Sequence, residues 1–195
     1  MEQVVEDPYK LFKKWYDEWC AFEKNEPSAM TLATCNKEGQ PSARVVLLKA
    51  YDSRGFVFFT NYTSHKAHDL QENPKASLNF FWKPLGKQIR IDGHVEKATD
   101  HESDGYFETR SRESQIGAWS SKQSNIIREP DELAKRVKEF SESFKGQPVP
   151  RPPFWGGYRV IPEKIEFWQE GAHRLHTRLV YKNVNGKWET HLIYP

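Results

Sequence analysis

Apolar positions change their spacing three times along the chain, dividing it into four stretches. Leu11, Phe12, Trp15, Trp19 and Phe22 recur at helical intervals. Asp7-Pro8 stands before them as N-cap and first helical residue, and Asn25-Glu26-Pro27 closes the run. This predicts a first amphipathic helix. Short β-type runs follow: Ala29 to Cys35, Ser42 to Ala50, Phe56 to Asn61, Ala76 to Trp82 and Gln88 to Glu96. Asn36-Lys37-Glu38-Gly39 and Asp52-Ser53-Arg54-Gly55 read as turns between them, and Ser64 to Glu72 as a short helix stopped by Asn73-Pro74. The middle returns to helical spacing, over Asp100 to Arg110 and Pro130 to Phe144. The tail is again strand-like: Gly157 to Val160, Lys164 to Gln169, Arg174 to Tyr181, and Trp188 to Tyr194 after an Asn185-Gly186 turn.

The sum is six or seven mostly antiparallel strands with about four inserted helices. A mainly β fold with peripheral helices, an α+β chain closed as a barrel, is expected. Pro148, Pro150, Pro152 and Pro153 make a stiff connector too short to separate independent domains. One domain is therefore expected over the 195 residues, with a helical arm over 1–26 and the barrel over 27–195.

Composition narrows the function. Aromatic residues reach 14%, which suits a β-rich interior or a site that stacks flat ligands. A net charge of +2 argues against a dedicated nucleic-acid binder. No apolar run approaches the roughly 20 residues of a membrane helix. The N-terminus lacks the basic and apolar regions of a signal peptide, so a cytoplasmic setting is expected. Cys20 and Cys35 form neither a CxxC nor a zinc-ligand spacing, and no metal is expected.

Phosphate-loop, dinucleotide-fold, zincin and hydrolase-elbow motifs are absent from the sequence, so a cofactor would be held by strand and loop side chains. Arg44 and Lys49 flank Val45, Val46, Leu47 and Leu48. Their odd spacing places them on opposite faces of an ideal strand unless a bulge intervenes, and a lysine ending an apolar run also fits an edge residue. Thr60, Ser64, His65 and Lys66 join a strand to a helix start, which suits an anion or an ordinary N-cap. Tyr106, Arg110 and Ser114 recur every four residues, as a phosphate clamp or a plain polar face would. Gln123 and Ser124 fall in a polar loop with no meaning of their own. Arg174, His176 and Arg178 alternate, which predicts one strand face; two guanidiniums flanking an imidazole there fit an anion site or a solvated edge.

These segments resemble the pyridoxamine 5′-phosphate oxidase family. The resemblance is carried by ARVVLLK (Ala43 to Lys49), FFTNYTSHKAHDL (Phe58 to Leu70), QIRIDG (Gln88 to Gly93), YFETRSRESQIGAWSSKQS (Tyr106 to Ser124), PPFWGGYRV (Pro152 to Val160) and EFWQEGAHRLHTR (Glu166 to Arg178). It runs in order over most of the chain. It implies an FMN-binding split β-barrel, homodimeric, with FMN at the subunit interface. The implied reaction oxidises pyridoxamine 5′-phosphate or pyridoxine 5′-phosphate to pyridoxal 5′-phosphate, with O2 as acceptor and H2O2 as product. A member that binds FMN or pyridoxal phosphate but turns over weakly is the alternative.

The resemblance also implies roles. Arg44, Val45, Val46, Leu47, Leu48 and Lys49 would line FMN, with Lys49 reaching the substrate phosphate as well. Phe59, Thr60, His65, Lys66, Gln88, Gln123, Ser124, Trp168 and Arg178 would complete the cofactor site. Tyr106, Arg110 and Ser114 would clamp the substrate phosphate, and Arg174 with His176 would lie over the pyridine ring as the catalytic pair. The chain departs from the family pattern at three places. His65 stands where many members have Arg, Thr177 stands where RLHDR has Asp, and the tail reads THLIYP rather than ending Arg-Leu-x-Pro. The chain also starts close to its first helix, where many members have a longer arm.

Overall fold

The computed structural model describes residues 7–195; the first six residues of the expected arm lie outside the described residues. Helix α1 (Pro8–Phe22) begins as its sequence requires, with the Asp7 carboxylate accepting from the Tyr9 amide at 2.9 Å and Pro8 in the first turn. It buries Leu11, Phe12 and Trp15 in the main core. Phe12 meets Tyr51, Phe56 and Phe80 edge-on, with centroids 4.8, 4.8 and 5.4 Å away. Much of the aromatic content thus goes to locking α1 onto the sheet.

Among the described residues, nine strands form one antiparallel sheet: β1 (Ala29–Cys35), β2 (Pro41–Leu47), β3 (Ala50–Asp52), β4 (Gly55–Asn61), β5 (Lys75–Trp82), β6 (Lys87–Lys97), β7 (Trp155–Gln169), β8 (Thr177–Val184) and β9 (Lys187–Leu192). The main order is β2-β1-β5-β6-β7-β4-β3. Strand β7 divides the sheet. Its first residues pair with β4 (Trp155 to Val160), and its last pair with β8 (Lys164 to Gln169). A register shift at Asp92/Gly93 bends β6 against β7. Glycine is needed there, because a Cβ on Gly93 would lie 2.0 Å from the Ile161 carbonyl oxygen. The curled sheet encloses Leu32, Phe58, Leu78, Phe80, Ile89, Ile91, Val160 and Phe167.

Helix α2 (His65–Glu72) follows β4, and α3 (Asp100–Glu108), α4 (Arg112–Ser120) and α5 (Glu132–Ser143) fill the insertion between β6 and β7. They enclose a second cluster of Phe107, Ile116, Ala118, Val149 and Trp155.

Four expectations change. The run Ser42 to Ala50 is two strands, because Leu48 donates to the Ser28 carbonyl and Lys49 to that of Val57, so the chain leaves β1 for β4. The two tail runs from Gly157 to Gln169 are one continuous strand. The stretch around Ile116 to Trp119, not expected to be helical, is α4, capped by Ser111. Arg174, His176 and Arg178 do not share a strand face. Only Arg178 lies in β8; Arg174 ends a 3-10 turn over Ala172–Arg174, and His173 and Arg174 have φ of 54° and 65°. Tertiary closure of this loop overrides the alternation: the Leu175 amide donates to Ala172 at 3.0 Å, and the Gly171 amide to His176 Nδ1 at 3.2 Å.

Candidate active site

A cavity of about 810 Å³ opens between β2, β4, the start of α2, and the α3–α4 unit. Arg44, Val45, Val46, Leu47, Lys49, Phe59, Thr60, His65, Lys66, Tyr106, Arg110, Ser114, Gln123 and Ser124 all line it. The break at Leu48-Lys49 brings Arg44 and Lys49 to one cavity despite their odd spacing. Likewise the turn at Thr109–Ser111 lets Ser114, in the first turn of α4, continue the Tyr106–Arg110 row. Leu48 instead points into the core.

Two groups of cations face the cavity, and among the described residues its lining includes no Asp or Glu. On the β2–α2 side, Lys66 is buried and its ammonium donates to Thr60 Oγ1 (3.2 Å), Ser64 Oγ (3.2 Å) and Gln123 Oε1 (3.1 Å). All three acceptors are neutral. Burial, reinforced by the nearby positive Arg44, lowers its pKa to about 8. Arg44 is held by Thr34 Oγ1 and Ser42 Oγ, both at 2.6 Å, with buried Asp69 3.8 Å away. Burial lowers its pKa too, against the pull of Asp69.

On the α3–α4 side, the Arg110 guanidinium lies over the Trp155 ring at 4.7 Å and the Phe107 ring at 5.5 Å. Phe59 and Tyr106 stack at 4.2 Å, and Phe59 and Trp155 at 5.4 Å, so three rings form one shelf under the cation. Arg110 Nη1 is buried with no acceptor among the described residues, and burial lowers the pKa of this guanidinium. A buried donor left unmatched costs about 1–3 kcal/mol. A dianionic phosphate would remove that cost at Arg110 and satisfy the buried Lys66 charge.

A separate row of candidates lies across the sheet. Gln88 pairs with Trp168, and Trp168 with Arg178. Trp168 also meets the His176 ring at 4.6 Å. Arg178 donates to buried Glu166 at 2.7 Å and to the Tyr194 carbonyl at 3.1 Å. Arg174 is exposed on the turn before β8. None of Gln88, Trp168, Arg174, His176 and Arg178 lines the cavity. Phe81, beside Gln88, and Leu175, beside Arg174, are exposed apolar residues on this side.

Residues 17–144 match the family model described as pyridoxamine 5′-phosphate oxidase. The chain belongs to this family. Residues 155–195 match the pyridoxine 5′-phosphate oxidase C-terminal dimerisation region. The pyridoxine/pyridoxamine 5′-phosphate oxidase of Bordetella pertussis is 54% identical over 181 residues, 93% of this chain and 85% of that protein. That of Trichormus variabilis is 50% identical over 194 residues, 99% and 91% respectively. Among solved structures, PhzG from Burkholderia lata, in complex with tetrahydrophenazine-1-carboxylic acid, has a TM-score of 0.93 and 32% identity, covering 100% of this chain and 95% of its own. A pyridoxamine 5′-phosphate oxidase-related, FMN-binding protein from Nostoc punctiforme shares the fold, at TM-score 0.76 and 16% identity, covering 98% and 100%.

As a pyridoxamine 5′-phosphate oxidase family member the chain is an oxidoreductase with FMN as cofactor. The residues present fit that group. FMN needs cationic and hydroxyl donors for its phosphate and a wall for a flat ring, and the cavity supplies both. Sequence reasoning missed Trp155, Asn61 and Ser121, which line the cavity as well. Trp155 was within reach, since it sits in the FWGG motif. Asn61 and Ser121 also sit in motifs that carry the resemblance, but only the tertiary structure pairs them: the Asn61 side-chain amide donates to the Ser121 carbonyl at 3.2 Å.

Proposed function

We propose that the protein oxidises pyridoxine 5′-phosphate or pyridoxamine 5′-phosphate to pyridoxal 5′-phosphate, with FMN shared between two subunits. O2 is the acceptor. The alcohol gives pyridoxal 5′-phosphate and H2O2; the amine also consumes water and releases ammonia. The observation that carries the reading is the pair of cationic groups in one cavity where, among the described residues, no carboxylate lines the wall and a buried Arg110 donor is unmatched. FMN and substrate are both phosphate monoesters, and two such dianions ask for two such groups.

FMN supplies the two-electron redox chemistry when bound, so no protein nucleophile is required. Lys66 and Arg44, with Thr60, His65 and Ser124, hold its phosphate; Val45, Val46, Leu47, Phe59 and Gln123 line its body. Arg110, Tyr106 and Ser114 take the substrate phosphate, and Lys49, which lines the same cavity, lines FMN and reaches the substrate phosphate as well. The row Gln88, Trp168 and Arg178, with Arg174 and His176, closes the site from the other subunit of a homodimer. The match of residues 155–195 to a dimerisation region supports this arrangement, as do exposed Phe81 and Leu175 beside the row. There Arg174 and His176 orient the pyridine ring and exclude water from it. The free thiols of Cys20 and Cys35 suit a reducing compartment, and the cytoplasm is the setting we assign.

Anaerobic titration tests the reading. Pyridoxine 5′-phosphate should bleach the flavin band of the purified holoenzyme, and air should restore it with formation of pyridoxal 5′-phosphate. A flavin that keeps its colour under substrate would remove the oxidase assignment and leave a binding role.

A further inference from the structure

Arg110 lies just beyond α3, a nine-residue helix that offers the fold little apolar surface. Only Ser103 and Phe107 are buried in it. Its docking is therefore largely polar and has two anchors: Glu102 accepts from buried Arg159 of β7 at 2.6 Å and from Arg54 at 3.1 Å, while Asp100 and Asp104, nearer the connector, both go to Arg151. Arg151, in the proline-rich connector, is mostly buried, with 13% of its side chain exposed. Its guanidinium donates in three directions: Nε to Asp104 (2.5 Å), Nη2 to Asp100 (2.8 Å) and Nη1 to the Trp155 carbonyl (2.7 Å). Both carboxylates belong to α3, while Trp155 opens β7. A single fork thus ties the helix leading to Arg110 to the residue whose ring lies beneath it. Next to this fork, the Gly157 amide donates to Ser103 Oγ at 3.1 Å.

We propose that Arg151 is a positioning residue for substrate-phosphate recognition: it fixes α3 against Trp155 and so holds Arg110 in place. The proposal rests on the reading of Arg110 as a substrate-phosphate ligand. Arg151 does not line the cavity, so its effect must pass through Arg110 and the ring shelf. An ammonium at this position could not reproduce three fixed donors in a plane. Ion pairs of exposed side chains contribute little, but a mostly buried three-way fork is geometrically demanding.

The test uses FMN-loaded enzyme and four proteins: wild type, Arg151→Gln, Arg110→Lys and the double variant. Arg151→Gln should raise KM for pyridoxine 5′-phosphate about tenfold, the scale of one charge-assisted hydrogen bond. Its kcat and FMN content should stay within about twofold of wild type, and the inhibition constant of inorganic phosphate should rise in parallel with KM. In the Arg110→Lys background the same substitution should change KM little, because both act on one contact. Asp100→Asn/Asp104→Asn, which alters only exposed carboxylates, should reproduce the KM rise and serves if Arg151→Gln does not fold. An unchanged KM, a KM rise that only tracks FMN loss, or full additivity with Arg110→Lys would overturn the role of Arg151. If Arg110→Lys itself leaves KM unchanged, the reading of Arg110 fails first.

Discussion

Lys66 is a cation held in the fold by neutral partners, and its pKa of about 8 records the cost. Between about pH 8 and the ordinary lysine value near 10.5, the unfolded chain binds a proton that the folded apo protein does not. The penalty is therefore complete below pH 8 and fades as pH rises through that window. A phosphate dianion reverses the preference, since it favours the ammonium. With the FMN phosphate on Lys66, as proposed, binding above pH 8 must take up a proton, and the Kd of FMN should climb by up to about tenfold per pH unit. Lys66→Met should flatten that slope while weakening FMN binding at neutral pH. At pH 7 the apo form of this variant should melt higher, by about 2–4 °C for each kcal/mol recovered. Equilibrium dialysis of FMN from pH 7 to 10, with thermal melts of both apo proteins, checks the pair of effects. An unchanged slope in Lys66→Met would assign the proton to another group.

At the scale of elements, the site depends on how closely α3 and the ring shelf approach the first residues of β7. Gly156 and Gly157 allow it. A Cβ on Gly156 would lie 2.2 Å from the Tyr62 hydroxyl and 3.0 Å from Ser103 Oγ; one on Gly157 would lie 2.9 Å from the Phe59 ring. Gly156→Ala should destabilise the protein by about 1–3 kcal/mol through overpacking. Because Tyr62 and Ser103 must then move, KM for substrate should rise as well. Melting curves and steady-state kinetics on one preparation check both, and a variant that loses neither stability nor affinity would mean that α3 docks more loosely than described. The same segment shows what the sequence could reveal. The glycine pair was legible as part of a motif, but its reason, two bodies meeting a strand backbone, is tertiary. Periodicity found α1, α2, α3 and α5, because each has caps or an apolar stripe. It missed α4, whose apolar Ile116, Ala118 and Trp119 are interrupted by Gly117 and run straight into the polar stretch Ser120 to Ser124, so the segment reads as a loop. It also misread Arg174 and His176, since positive φ at His173 and Arg174 is imposed by the closure of the loop, not by glycine.

On the scale of the whole molecule, the candidate residues fall into two sets that one chain does not bring together. Arg110, Lys66 and Arg44 face the cavity, while Gln88, Trp168, Arg174, His176 and Arg178 stand outside it. Sequence order gave no hint of the division, because strand order says nothing of which residues meet across a two-fold axis. Alternation singled out Arg174, His176 and Arg178 in the second set, the resemblance to the oxidase family added Gln88 and Trp168, and the match of residues 155–195 to a dimerisation region offers a reason why the set stands apart. A homodimer with two sites, each built from both chains, is the account that joins them.

Subunit complementation tests that account most directly. Arg110→Ala and Arg174→Ala homodimers, each loaded with FMN, should both oxidise pyridoxine 5′-phosphate poorly. Unfolded, mixed in equal amounts and refolded with FMN, they should form about half heterodimers, each with one intact site and one doubly damaged site. Oxidase activity should then return to about a quarter of wild type refolded the same way. Activity no higher than the mean of the two parents, in a mixture shown by native mass spectrometry to contain heterodimers, would mean that each site belongs to a single chain.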